Sequence, residues 1–185
     1  MMKPGDDFKD KRILVHVCCA PCAAPSVERI HLDNWGEVGL YFTNSNIYPR
    51  EEFEKRLVYV RRLAEICDVI LETDVYDHAA WLAHIHGLEC EPEKGRRCAR
   101  CFEYNLIRTA ELADRAGYDA FTTTLTLSPH KISQVIFAIG AQFPKYVPYD
   151  FKKRNGFIRS LQLSREYDFY RQNYCGCEFS CRHSG

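Results

Sequence analysis

Short apolar runs alternate with amphipathic stretches along this chain. Residues 13–17 form an apolar run of strand length, and residues 37–43 and 69–72 give two more. Residues 23–32, 51–67 and 98–116 instead place apolar side chains at helical spacing, the last stretch being ended by Gly117. Residues 77–85 predict a shorter helix and residues 87–95 an irregular acidic loop. Residues 120–125 read as a threonine-rich strand. Ser128-Pro129 supplies a cap and a first-turn proline for a helix through about Ile139. Residues 146–148 predict a last short strand, and residues 161–170 a last helix. Strands alternating with helices predict an α/β fold, a three-layer, mainly parallel sheet with helices on both faces. Ligands of such sheets gather past the carboxyl ends of the strands, where the strand order reverses. With no internal repeat, low-complexity tract or linker, residues 1–185 are expected to form a single domain.

Composition changes this picture little. Apolar residues make up 46% and charged residues 27%, the balance of a globular protein and not of a disordered one. No apolar run approaches the roughly 18 residues that span a bilayer. The opening MMKPGDDFKDKR is too charged for the apolar core of a signal peptide, so a cytoplasmic protein without membrane association is expected. Net charge is zero, but it is segregated. Lys94, Arg96, Arg97 and Arg100 cluster, and residues 145–171 hold seven basic against three acidic side chains. Such segregation is either a solvated face or an anion-binding surface.

The ten cysteines carry the chemistry. In a reducing compartment clustered cysteines hold metal or exchange electrons more often than they form disulfides. Cys18-Cys19-Ala20-Pro21-Cys22 follows the first predicted strand at the start of a helix, where free N–H groups and the helix dipole stabilise thiolates. Cys19 and Cys22 alone would make a thioredoxin-like CxxC, but adjacent Cys18 weighs against that simple motif. Arg97-Cys98-Ala99-Arg100-Cys101 puts a CxxC among cations, and residues 175–181 add Cys175, Cys177 and Cys181, with Gly176 freeing the backbone between the first two. Cys67 and Cys90 stand apart, one as an apolar residue and one as a loop thiol. Zinc is the plainest occupant, since two CxxC pairs complete a tetrahedral Cys₄ site. A zinc site or a [4Fe–4S] cluster takes four thiolates, and the three segments offer eight. The surplus points to an additional metal position or to a dithiol. Cys175 and Cys177 are one such pair, because a C-x-C disulfide closes a strained, easily reduced ring.

Several blocks resemble one family when taken together. They are residues 14–22 (LVHVCCAPC), 46–49 (NIYP), 98–102 (CARCF), 121–131 (FTTTLTLSPHK), 149–153 (YDFKK) and 170–177 (YRQNYCGC). In this order along nearly the whole chain they resemble the QueH family of epoxyqueuosine reductases. The resemblance implies an adenine nucleotide α-hydrolase-like (HUP, Rossmann-like) fold with a cysteine-rich C-terminal tail closing the site. It also implies an iron–sulfur cofactor, no cobalamin, and reduction of the epoxide on a modified wobble base of tRNA, the last step of queuosine synthesis. The usual glycine- and serine-rich phosphate loop of that superfamily is replaced by Cys18-Cys19-Ala20-Pro21-Cys22, so no ATP is expected.

Converting an epoxide to an alkene consumes two electrons and two protons, whereas one cluster passes single electrons. The expected metal-binding set is Cys18, Cys19, Cys98 and Cys101, with Cys22 able to join or replace one of them. An additional iron would act as a Lewis acid on the epoxide oxygen. Cys175 and Cys177 are assigned to redox or metal work, and His130 to proton donation unless it serves only as a helix-start residue. Asn46 and Tyr48 are expected to hold the base or to form an ordinary turn. Ser128, Lys131, Tyr149, Asp150, Lys152 and Lys153 are expected to line the site or to make a solvated loop. Phosphates would meet Lys152, Lys153, Arg154 and Arg159. The partners are tRNA carrying epoxyqueuosine, whose base must leave the stack, and an unidentified electron donor. Two rival readings are a zinc-stabilised nucleic-acid-binding module and a metal-free thiol–disulfide oxidoreductase. Iron and acid-labile sulfide separate both from an iron–sulfur enzyme.

Overall fold

The computed structural model describes residues 8–180, so Cys181 lies outside the described residues. Four strands form one parallel sheet in the order β3-β2-β1-β4. Central β1 (Arg12–His16) pairs with β2 (Glu37–Phe42) from Arg12 opposite Glu37, and with β4 (Ala120–Thr123) from Ile13 opposite Ala120. The edge strand is β3 (Ile70–Thr73). Because β1 is covered on both faces, Ile13, Leu14 and Val15 are all fully buried, which is why its sequence runs apolar instead of alternating.

The side chains still alternate in direction. Ile13, Val15, Leu40 and Phe42 join Val27 and Ile30 of α1 (Ala20–Leu32), Phe53 and Leu57 of α2 (Arg50–Cys67), and Leu163 of α6 (Gly156–Glu166). Leu14, Tyr41 and Phe121 point the other way, onto Leu106, Leu112 and Ala113 of α4 (Arg96–Arg115). There α5 (Ser133–Gly140) and α3 (His78–His84) pack against α4. Helices thus cover both faces, as the alternation of elements predicts. Burying each of these large side chains contributes about 1.5–3 kcal/mol. No helix among the described residues is long and apolar enough to cross a membrane.

Chain direction decides where a site can form. The chain runs outward through β1, β2 and β3, then crosses to the opposite side of β1 to place β4. The strand order therefore reverses between β1 and β4, and their carboxyl ends lead into Cys18 and Thr124. Helix α1 starts there, and Pro25 within it cannot donate to the Pro21 carbonyl. Ser160 of α6 replaces the missing donor, its hydroxyl lying 2.7 Å from the Pro21 oxygen. That bond ties α6 to the first turn of the cysteine-bearing helix.

Four predicted boundaries shift, each for a local reason. The strand over residues 120–125 stops at Thr123, whose hydroxyl accepts from the Leu125 N–H (3.2 Å) and turns Thr124–Leu127 into a 3₁₀ segment. Ser128-Pro129 does not open a helix. Ser128 spends its hydroxyl on the His130 N–H (3.3 Å) in a local turn, and α5 begins only at Ser133. Residues 146–148 make a single bridge to Phe121 instead of a strand. The last helix begins at Gly156, where a Cβ would collide with the Phe151 carbonyl, and it stops before Asp168, a non-glycine residue at φ 48°.

Asp74, just past β3, fastens the sheet to α4. Its carboxylate accepts two bonds from Arg108 (2.7 and 2.9 Å), one from the Thr43 hydroxyl (2.7 Å) and one from the Val75 N–H (2.9 Å). Burial alone would raise its pKa, but the Arg108 and Thr43 bonds outweigh burial and lower it. A carboxylate with a lowered folded-state pKa stabilises the fold fully above its unfolded value of about 4, and loses that effect as pH falls further. Asp74→Asn should therefore destabilise the protein by about 1–3 kcal/mol at neutral pH. The gap between the two melting temperatures should narrow at about pH 3, and a gap independent of pH would contradict this account.

Candidate metal centre

The site grows out of the carboxyl ends of β1, β2 and β4. His16 is fully buried, with Nδ1 2.8 Å from the Thr123 hydroxyl and Nε2 3.2 Å from the Thr43 carbonyl oxygen. Since a carbonyl only accepts, Nε2 carries the proton and Thr123 donates to Nδ1. Burial pushes the imidazolium below its ordinary pKa, in keeping with that neutral tautomer. Asn44 donates to the Val17 carbonyl (2.8 Å), and Thr124 receives the Cys18 N–H (3.3 Å) while its hydroxyl lies 3.6 Å from Cys18 Sγ. Three strands are laced together immediately beneath the first cysteines.

Cys18, Cys19 and Cys22 bring their sulfurs within 4.8 Å of one another, and they are the group of this kind found among the described residues. Cys18 Sγ and Cys19 Sγ are 3.8 Å apart. Cys19 is the N-cap of α1 in extended backbone, and its carbonyl accepts the helical bond from Ala23 (3.1 Å). Hydrogen bonds with Cys18 and Cys22 lower Cys19 well below the usual thiol value, whereas those with Cys18 and Cys19 raise Cys22 well above it. The trio therefore ionises first at Cys19. Burial alone would lower the Lys131 ammonium, but the sulfurs of Cys175, Cys18, Cys22 and Cys19 outweigh burial and raise it. Buried Arg56 faces Cys19 and Cys18 from α2.

The other cysteines come from α4 and the tail. Cys98 is partly buried and accepts from the Lys94 N–H (3.2 Å). Cys101 and Cys177 are buried against Trp81 and Ile85. Burial raises Cys98 and Cys177, and raises Cys101 well above its ordinary value. A cavity of about 470 Å³ opens over the trio, lined by Cys18, Cys22, Cys98 and Cys175. A smaller cavity behind it touches Cys18, Cys101 and Cys175, with Asn46, Asn105 and Lys131. Cys18, Cys175 and Lys131 belong to both, so the two cysteine groups meet there.

The tail is held down by side chains from three segments. Arg56 donates to the Cys175 carbonyl (3.0 Å) and to the Tyr174 carbonyl (3.4 Å), while Glu52 takes its Nε at 2.7 Å. The Tyr48 N–H donates to the Gly176 carbonyl, and the Tyr174 hydroxyl to the Tyr48 carbonyl, both at 2.8 Å. His78 bridges the Ser45 carbonyl (2.7 Å) and Glu178 (3.1 Å). Gly176 sits at φ 134°, and a Cβ there would approach Arg56 Nη1 and Ile47 to 3.1 Å. Glycine is what allows Cys175 and Cys177 to flank so tight a fit.

The residues nominated from sequence fall into distinct places. Ser128, His130 and Lys131 line the main cavity, with His130 exposed and Lys131 partly buried between the sulfurs. Asn46 is buried and accepts from Asn105 (3.3 Å), whereas Tyr48 is 46% exposed and stacks on His78. Asp150 accepts from Ser133 (3.2 Å). Lys152 braces the turn by donating to the Lys131 carbonyl (2.7 Å). Arg159 is paired with Glu28 (2.7 Å), while Lys153 and Arg154 are exposed without an ion pair among the described residues. Tyr149 is a core residue bonded to Asp33 (2.8 Å) and Trp35 (3.0 Å). Cys67 packs on the core and Cys90 is exposed. Sequence reasoning passed over Arg56, although it interrupts the apolar face Phe53, Leu57, Val60 of α2, which is a legible anomaly. It also passed over Thr124, Gln172 and Trp81, which only the assembled site identifies.

A family model described as epoxyqueuosine reductase QueH matches residues 13–183. Similar proteins carrying the name epoxyqueuosine reductase QueH include that of Streptococcus pyogenes serotype M1, 40% identical over 94% of this chain and 71% of its own length. That of Staphylococcus epidermidis is 35% identical over 97% of this chain and 80% of its own length. That of Thermotoga maritima is 32% identical over 91% and 89% respectively. With three thiols gathered at the switch point of a parallel sheet and a match across nearly its whole length, this chain belongs to the QueH family of epoxyqueuosine reductases.

Proposed function

We propose that this protein is an oxidoreductase that reduces the epoxide of epoxyqueuosine in tRNA to the alkene of queuosine, using an iron–sulfur cluster of the [4Fe–4S] type. The observation that carries this reading is the trio Cys18, Cys19 and Cys22, gathered beneath a cavity in a chain of this family. The donor set suits such a cluster, because three close thiols are joined at the same cavity by Cys98 and Cys175, either of which completes four sulfur ligands. Cys101, which lines the smaller cavity, and Cys177, which packs in the same cluster as Cys101, are left for a second metal or for a dithiol. When bound, the cluster supplies single electrons to the substrate.

The chain's own residues supply the rest. Lys131 Nζ, raised by the surrounding sulfurs, stays protonated and donates to the oxygen leaving the opened epoxide. Arg56 and Lys131 offset the negative charge of ionised sulfurs. Phe102, Leu127 and Val135 give the cavity part of its wall as apolar surface. Tyr48 offers an exposed ring for stacking, and Asn46 a polar group at the inner end. The 3.8 Å separation of Cys18 and Cys19 sulfurs favours a second reading. Two thiolates bound at about 2.3 Å to one tetrahedral ion lie about 3.8 Å apart, so a zinc-stabilised RNA-binding module shares this geometry.

Anaerobically iron-loaded protein with a reductant should convert epoxide-bearing tRNA to the alkene form, read by mass spectrometry of the nucleosides. Unchanged epoxide with a full complement of iron and sulfide would sink the reading, and zinc without iron in protein purified anaerobically would favour the module. Alanine at Cys18, Cys19 or Cys22 should lower bound iron by at least about half, whereas Cys67→Ala should leave it unchanged. Lys131→Met should slow reduction about 100-fold and His130→Ala no more than about threefold, measured as single-turnover rates. The reverse order would return the proton-donor role to His130.

A further inference from the structure

Two large apolar side chains that line the main cavity are also exposed, Phe157 at 36% and Ile132 at 44%, so both stand where the cavity meets solvent. Scattered apolar residues on a surface need no explanation, but an aromatic ring fixed at the mouth of a cavity does. Phe157 sits in the first turn of α6, and that turn is tied on both sides. Ser160 bonds the Pro21 carbonyl (2.7 Å), and the approach to the helix is closed by the Lys153 N–H on the Asp150 carbonyl (3.1 Å) and the Gly156 N–H on the Lys153 carbonyl (3.3 Å). The Arg171 guanidinium, held by the Ser160 and Ser164 hydroxyls at 2.9 Å each, lies over one face of the ring, 5.8 Å from its centroid. The ring is thus backed by a fixed cation on a fixed helix, and covering its exposed part costs little further side-chain entropy. Lys153 and Arg154, in the turn that leads into Phe157, and Lys94, which lines the same cavity, are exposed and make no ion pair among the described residues. A flat apolar ring beside free cations is complementary to a nucleotide, which presents an aromatic face and a phosphate at adjacent positions.

We propose that Phe157 is the stacking platform for a nucleotide next to the modified one, with Lys153 and Arg154 on its phosphate. This rests on the function proposed above. A base that enters the cavity leaves its stack, and the neighbouring base loses a stacking partner as it does so. The Phe157 ring at the mouth replaces that partner and so offsets part of the cost of extrusion. Because every base has an aromatic face, the contact adds grip without choosing sequence.

The test is fluorescence anisotropy with an anticodon hairpin carrying epoxyqueuosine and with two further hairpins, each made abasic at one nucleotide flanking the modified one. Phe157→Ala should weaken binding of the intact hairpin about tenfold, and Phe157→Trp should bind it within about threefold of the native protein. One of the two abasic hairpins should bind the native protein about tenfold more weakly, yet lose less than about twofold more on Phe157→Ala, because the ring has already lost its partner. Phe157→Ala should leave the salt dependence of affinity unchanged, whereas Lys153→Ala with Arg154→Ala should lower its log–log slope by about one to two. Should Phe157→Ala fail to fold by circular dichroism, Phe157→Leu, apolar but without a flat face, should still lose at least about threefold. Native affinity in the alanine or leucine variant, or a loss on Phe157→Ala that adds in full to the loss at both abasic sites, overturns the stacking. An unchanged salt slope in the paired variant overturns the phosphate contact. Iron- and sulfide-loaded protein that reduces the epoxide and still gives either result overturns this inference alone. Loaded protein that leaves the epoxide unchanged overturns the proposed function, and this inference with it.

Discussion

Crowding sulfur atoms into a buried site is an electrostatic problem before it is a chemical one. Two full negative charges 3.8 Å apart, the spacing of the Cys18 and Cys19 sulfurs, repel by about 4 kcal/mol at an effective dielectric of 20. The fold meets this first by sharing, since the bonds with Cys18 and Cys22 favour ionisation at Cys19 over its neighbours. It then brings positive charge from outside the cysteine motifs, Lys131 from the turn after β4 and Arg56 from α2. Cys19 also stands at the N-cap of α1, at the positive end of the helix dipole. Each of these contributions comes from a different element, so the site forms only when the sheet and both helical layers are in place.

The same cation fixes the tail. Arg56 has a side chain 2% exposed and cannot be left buried without partners. Glu52 and the carbonyls of Tyr174 and Cys175 take its hydrogens on one side, and its charge faces the trio on the other. The order of the last residues is thereby coupled to the ionisation of the first cysteines, across more than a hundred residues of sequence. Gly176 makes that coupling possible sterically, since any larger residue would press on the guanidinium.

Much of this was legible from the chain alone. The apolar period gave the parallel sheet, the layers and the position of Cys18-Cys19-Ala20-Pro21-Cys22 after β1, because burial on both faces leaves a plain mark on a central strand. The turn after β4 was misread because serine followed by proline suits both a helix start and a local turn, and Ser128 bonds the His130 N–H two residues on. Residues 161–170 ran past the helix end because Tyr167 and Phe169 keep packing after the backbone has turned at Asp168. The grouping of Cys18, Cys19 and Cys22 was legible from their spacing, whereas the way the other two segments join them was expected only from the resemblance. Spacing shows which sulfurs are near in sequence, whereas the meeting of Cys175 with Cys18 at one cavity is a product of tertiary folding.

Charge segregation in the sequence suggested a polyanion-binding surface, and the fold reapportions it. Arg96 pairs with Glu91, Arg100 with Glu103, and Arg97 donates to backbone carbonyls. In the second cluster Lys145 pairs with Asp114 and Arg159 with Glu28, while Lys152 and Arg171 hold backbone and serine oxygens. Lys94, Lys153, Arg154 and Arg165 remain exposed without an ion pair among the described residues, and Lys94 lines the cavity. Four such cations release at most about four counterions from a phosphate backbone, which gives salt-dependent and nonspecific attraction. Phe157, 36% exposed and under the Arg171 guanidinium at 5.8 Å, and exposed Ile132 add an apolar rim. On the proposed reaction, then, the discrimination among RNAs falls to the cavity and the base that enters it, and the backbone contacts only bring that base within reach.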